Sequence, residues 1–158
     1  MAATALKSEA LSDQTGEDKT SCALEINRDI LPNGTAMTTL DFQDLRLLQV
    51  TEKVNGKPTE IIQFEGKITN SNSFNVNRKI YRIFEADNYN LILDLSKLEY
   101  VNSSGVAMLF SIFHRVKENS GKIVIGGVHP FLYNIFNLMD LPPQMDIYDT
   151  LDEAKKIF

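Results

Sequence analysis

The 158-residue chain has no tryptophan and one cysteine, Cys22, so no disulfide framework can form within it. Histidine is nearly as scarce. His114 and His129 are the only two, and neither has a second His, a Cys or a suitably spaced carboxylate beside it, which argues against a metal site. No apolar run approaches the roughly 18–20 residues of a membrane-spanning helix, so membrane insertion is not expected. Residues Met1 to Thr20 lack the apolar centre of a secretory signal, and the expected location is the cytoplasm. Positive charge is short as well: 16 Lys and Arg stand against 21 Asp and Glu, a net charge of −5. Those basic residues are scattered, whereas a nucleic-acid surface needs them clustered, so no direct nucleic-acid contact is expected. Catalytic signatures are missing too. There is no P-loop, no Gly-x-Gly-x-x-Gly after the first strand and no Gly-x-Ser-x-Gly elbow, and neither His is placed by motif as a base for a serine. A non-enzymatic chain with no cofactor is the expectation.

What the chain does hold is a globular composition, 43% hydrophobic and 23% charged. Residues 1–40 are rich in Ala, Ser, Thr, Asp and Glu without a sustained period, and read as a flexible N-terminal extension with Leu24 to Leu31 its only ordered piece. Residues 41–158 read as one domain. Leu45 to Val50 and Thr59 to Phe64 give two strands around the hairpin signal Asn55-Gly56. Asn70, Ser71, Asn72 and Ser73 offer N-caps for a helix whose inward stripe is Phe74, Val76, Ile80, Ile83 and Phe84. Lys122 to Ile125 is a buried strand, and His129-Pro130 opens a helix facing inward with Leu132, Ile135, Phe136 and Met139. Asp146 to Tyr148 reads as an edge strand and Leu151 to Phe158 as a last short helix. The order predicts an α/β fold, a mixed β-sheet faced by about four α-helices.

One stretch stands out. Leu91 to Leu95 is a continuous apolar run of the kind found in a central strand, with Asp94 and Ser96 at its end. After a short link, Ser103 and Ser104 open an amphipathic helix with the stripe Val106, Leu109, Phe110, Phe113 and Val116. Hydroxyls at such a helix start face outward-pointing N–H groups, where negative charge is stabilised. From the residues alone, the two serines read either as helix caps or as acceptors of a phosphate. Asp94 and Ser96 read either as turn-forming residues or as groups that orient the serine loop or meet a partner-bound nucleotide. Met108 falls off the apolar stripe and reads as an exposed contact for a partner.

Three segments resemble the STAS domain, the fold of bacterial anti-sigma factor antagonists. Phe64-Glu65-Gly66-Lys67-Ile68-Thr69 resembles the strand and glycine turn before that family's first helix. Leu93-Asp94-Leu95-Ser96 resembles the end of its central strand, and Val101-Asn102-Ser103-Ser104-Gly105-Val106 the start of its second helix. The resemblance spans about Phe42 to Phe158. It implies a switch in which Ser103 is phosphorylated by an anti-sigma factor serine kinase and dephosphorylated by a PP2C-type phosphatase. The unphosphorylated form would bind the kinase and free a sigma factor. Thr69, Asn70, Asp94, Ser96, Asn102, Ser104, Gly105 and Met108 would shape the partner surface of a monomer or weak dimer. Asn102 and Thr69 stand where many antagonists carry Asp. Two other uses of such a domain are a sensor of a nucleotide or lipid, and a subunit of a scaffold or transport complex.

Overall fold

The computed structural model describes residues 25–158. The expectations for Met1 to Thr20 and for Cys22 lie outside the described residues. Among the described residues, seven strands form one sheet whose spatial order follows the chain: β1 (Glu25–Ile30), β2 (Ala36–Phe42), β3 (Leu45–Val54), β4 (Lys57–Ile68), β5 (Asn90–Val101), β6 (Lys122–Gly126) and β7 (Asp146–Ile147). Pairing is antiparallel from β1 to β4 and parallel from β4 to β7. The expected mixed sheet is present. Tight turns join the antiparallel part. Asn55 and Gly56 both take positive φ, 52° and 82°, which a two-residue hairpin turn between β3 and β4 requires.

Helices α1 (Ser73–Ile83), α2 (Ser103–Glu118) and α3 (Pro130–Leu138) connect the parallel strands, and α4 (Leu151–Lys156) closes the chain. The main core lies between the sheet and α1 to α3. It holds Leu91, Leu93 and Leu95 of β5, Val76 and Ile80 of α1, Leu109, Ile112 and Val116 of α2, and Leu132 and Phe136 of α3. The opposite face carries a smaller cluster, in which Ala154 of α4 covers Ile92 and Val124.

Several elements differ from their sequence expectation. The sheet begins ahead of residue 41, because β1 and β2 pair within what reads as the extension, and Leu40 and Phe42 enter the main core. Strand β5 does not stop at Leu95 but continues to Val101. Two bulges explain why. Gln63 faces Asp94 while Glu65 faces Lys97, and Gly66 faces Leu98 while Lys67 faces Tyr100, so β5 carries one extra residue at each point. Main-core positions along β5 therefore run 91, 93, 95, 98 and 101, a spacing no regular strand pattern contains. Met139, expected inward, is 37% exposed, and Phe74 is 67% exposed at the start of α1.

Candidate functional site

Parallel pairing of Ile68 with Val101 brings the ends of β4 and β5 together, so two strand-to-helix turns lie side by side. The backbone N–H of Asn102 donates to the carbonyl of Ile68 at 3.2 Å and ties them. The first turn is locked by Asn72, which is 1% exposed. Its amide donates to the carbonyls of Gln43 (2.6 Å) and Lys67 (2.9 Å), and its Oδ1 accepts from the Thr69 N–H at 3.0 Å. Asn72 occupies the N-cap position of α1 but its side chain is committed backward into the turn and makes no capping bond. The Thr69 hydroxyl accepts from the Ser71 N–H at 3.3 Å. Gly66, just upstream, has φ 115°, a conformation that favours glycine, and lets Lys67 N–H reach Asp44 O at 2.8 Å.

In the second turn the cap of α2 is Asn102, not a serine. Its Oδ1 accepts from the Gly105 N–H at 3.0 Å, and its backbone is extended. Ser103 is the first helical residue. Asn70 bridges the two turns: its Oδ1 accepts from Asn102 Nδ2 at 2.9 Å and from the Ser104 hydroxyl at 2.6 Å. Ser104 is thus held, whereas the exposed Ser103 hydroxyl has no partner among the described residues. No acidic residue occupies the first turn of α2, so the positive end of its dipole is uncompensated there. Gly105 sits beneath, buried against Val101 and Ile68; a Cβ at this position would lie 2.7 Å from Ile68 Cγ2. That contact sets how closely α2 approaches the sheet.

A groove beside Ser104 is lined by Phe74 and Asn77 of α1 and by Ala107, Met108 and Ser111 of α2. The exposed ring of Phe74 therefore adjoins the serine turn. Its place in the sequence gives little warning, since it falls within the helix's apolar spacing; Ser73, Val76 and Ile80 take the buried side instead.

Residues 49–154 match the family model of the STAS domain. The chain belongs to the STAS domain family. Solved structures of similar fold include an anti-sigma factor antagonist from Mycobacterium paratuberculosis, with a TM-score of 0.59 and 20% identity, covering 70% of this chain and 92% of that one. The Bacillus cell fate determinant SpoIIAA in its phosphorylated form aligns with a TM-score of 0.52 and 20% identity, over 69% of this chain and 97% of its own. The murine solute carrier 26 family member A9 anion transporter aligns with a TM-score of 0.55 and 19% identity, over 63% of this chain and 17% of its own. At these identities the likeness establishes the shared fold.

Of the residues expected at the partner surface of this STAS domain, Thr69, Asn70, Asn102, Ser103 and Ser104 come together. Asp94 does not. It is 2% exposed and alternates with Leu93 and Leu95, so it faces the α4 side of the sheet, opposite α2. Its Oδ1 accepts from the Ser96 N–H at 3.0 Å and its Oδ2 from Gln63 Nε2 at 2.8 Å, which pins the first bulge of β5. Ser96 is exposed on that bulge against the turn at Gly127, where a Cβ would meet Ser96 N at 2.7 Å. Met108 is 4% exposed and packs in the main core, because α1 lies over the side of α2 that a single-helix stripe leaves open. Among the described residues no helix is long and apolar enough to cross a membrane, and no group of three potential metal ligands occurs.

Proposed function

We propose that this STAS domain is a phosphorylation-switched protein-binding module, an anti-sigma factor antagonist whose switch is Ser103. The observation that carries the reading is the division of labour at the start of α2. Asn102 caps the helix and Asn70 holds Ser104, which leaves the Ser103 hydroxyl exposed and unengaged. Phosphate there adds about 1.5–2 negative charges at a helix N-terminus, which the dipole favours, so the fold tolerates it. A docking protein meets that charge and its hydration shell inside the contact, where an unpaired charge is costly. The unmodified form accordingly binds an anti-sigma factor serine kinase, and a PP2C-type phosphatase regenerates it, in the cytoplasm, with the domain a monomer or weak dimer.

Thr69, Asn70, Asn102 and Ser104 border the switch, with Phe74 and Ala107 supplying apolar contact beside it. The test is incubation of the full chain with ATP and the anti-sigma factor kinase encoded by the same genome, followed by intact mass and site mapping. One phosphate on Ser103 is expected, together with loss of kinase binding. Modification only at another residue, or equal binding by both forms, overturns the proposal.

A further inference from the structure

A second feature lies some distance along the same two helices. Although the chain is net negative, α1 carries Arg78, Lys79 and Arg82 and no carboxylate among its 11 residues. Arg78 and Arg82 are four residues apart, a like-charge spacing that weakens an isolated helix. From α2, Arg115 joins them around a cavity of about 440 Å³ between the C-terminal halves of the helices. None of the three guanidiniums is in an ion pair; those among the described residues are Arg46–Asp41, Lys97–Glu65 and Lys155–Glu52. Two are instead placed by aromatic rings. Arg115 lies over Tyr81 at 4.7 Å, and the Tyr81 hydroxyl is itself anchored to Ser111 Oγ at 2.6 Å; Arg78 lies over Phe74 at 5.8 Å. Stacking on a ring leaves the edge N–H groups of a guanidinium directed outward, the arrangement that grips a phosphate with paired hydrogen bonds.

The geometry points to a ligand site for a phosphomonoester on a hydroxyl-bearing carbon frame. Arg78, Arg82 and Arg115 take the phosphate. Glu85 and Asp87, which line the same cavity, accept hydrogen bonds from the hydroxyls and disfavour a bare inorganic anion. Either a free sugar phosphate or the phosphorylated headgroup of an inositol lipid supplies this chemistry.

The full chain is titrated with ribose 5-phosphate by calorimetry and, separately, floated with phosphatidylcholine vesicles containing phosphatidylinositol 4-phosphate. Saturable binding of at least one probe is expected, and which one responds assigns the source. Arg82→Ala, at an exposed residue whose side chain has no hydrogen bond or ion pair among the described residues, should weaken that binding about tenfold or more. Glu85→Gln, which replaces a charged acceptor by a weaker amide oxygen, should weaken it about two- to fivefold. Lys53→Ala, on the remote β3 hairpin, removes the same charge and should change nothing. Binding of neither probe overturns the assignment, and so does an equal loss in Arg82→Ala and Lys53→Ala. Thermal unfolding of each variant confirms that the fold is intact.

Discussion

Ser103→Asp separates the effect of charge on the fold from its effect on an interface. The native hydroxyl makes no hydrogen bond among the described residues, so its removal leaves none of them unpaired. The new carboxylate stands at the first residue of a 16-residue helix with no other acid in its first turn, where the dipole contributes about 0.3–1 kcal/mol. Stability should therefore stay level or rise, with Tm moving upward by no more than about 4 °C for a chain of this size. Binding should respond in the opposite sense. A charge left without a partner in a dry contact costs roughly 3–5 kcal/mol, a loss of about 150- to 5,000-fold in affinity. Ser104→Asp provides the contrast, because it sets a carboxylate against the Asn70 Oδ1 that the native hydroxyl approaches at 2.6 Å. That variant should lose the bond and lower Tm. Circular dichroism melts and calorimetric titration against the anti-sigma factor kinase measure both quantities. Should Ser103→Asp melt more than about 4 °C below wild type, or bind the kinase as tightly, the reasoning fails.

Three further outcomes follow from the packing. Gly105→Ala should destabilise by about 1–3 kcal/mol in denaturant titration despite the better helix propensity of Ala, since the added methyl meets the stiff, buried side chains of Val101 and Ile68; an unchanged midpoint would show that α2 can retreat. Asp94→Ala should cost roughly 1–3 kcal/mol by leaving Gln63 and the Ser96 N–H unpaired, yet leave the proposed phosphorylation of Ser103 unaltered, because Asp94 lies on the far face of the sheet. Loss of phosphorylation in a folded Asp94→Ala protein would contradict that placement. Burial raises the Tyr133 phenol above its ordinary value of 10.0, with nearby Asp149 adding to the effect. The unfolded chain then ionises first, so stability present below pH 10 should decline as pH rises toward the folded-state value, and Tyr133→Phe should remove that decline in melts followed from pH 8 upward.

How much of this was legible in the chain depends on where each signal lies. Apolar spacing and turn chemistry are local, so the Asn55-Gly56 hairpin, the buried run at Leu91 to Leu95, the helix at Ser103 and the proline that opens α3 could all be read directly. The serine turn was legible for the same reason: strand, polar turn and helix succeed one another within about fifteen residues of sequence. Strand β2 was not, because only Leu40 and Phe42 of its residues are buried and the rest carry no contrast. The second half of β5 was hidden by its bulges, which turn a two-residue alternation into a three-residue one.

The sequence by itself determined the α/β class, the order of elements from Leu45 onward and the place of a serine at a helix start. Only the tertiary structure decided which groups share a surface. Packing of α4 covered the face of the sheet on which Asp94 lies, α1 buried Met108 against α2, and the parallel register of β4 with β5 set Asn70 beside Asn102 and Ser104 across more than thirty residues of chain. Those outcomes depend on pairing and packing between distant segments, whereas periodicity records only the side of its own element that a residue occupies.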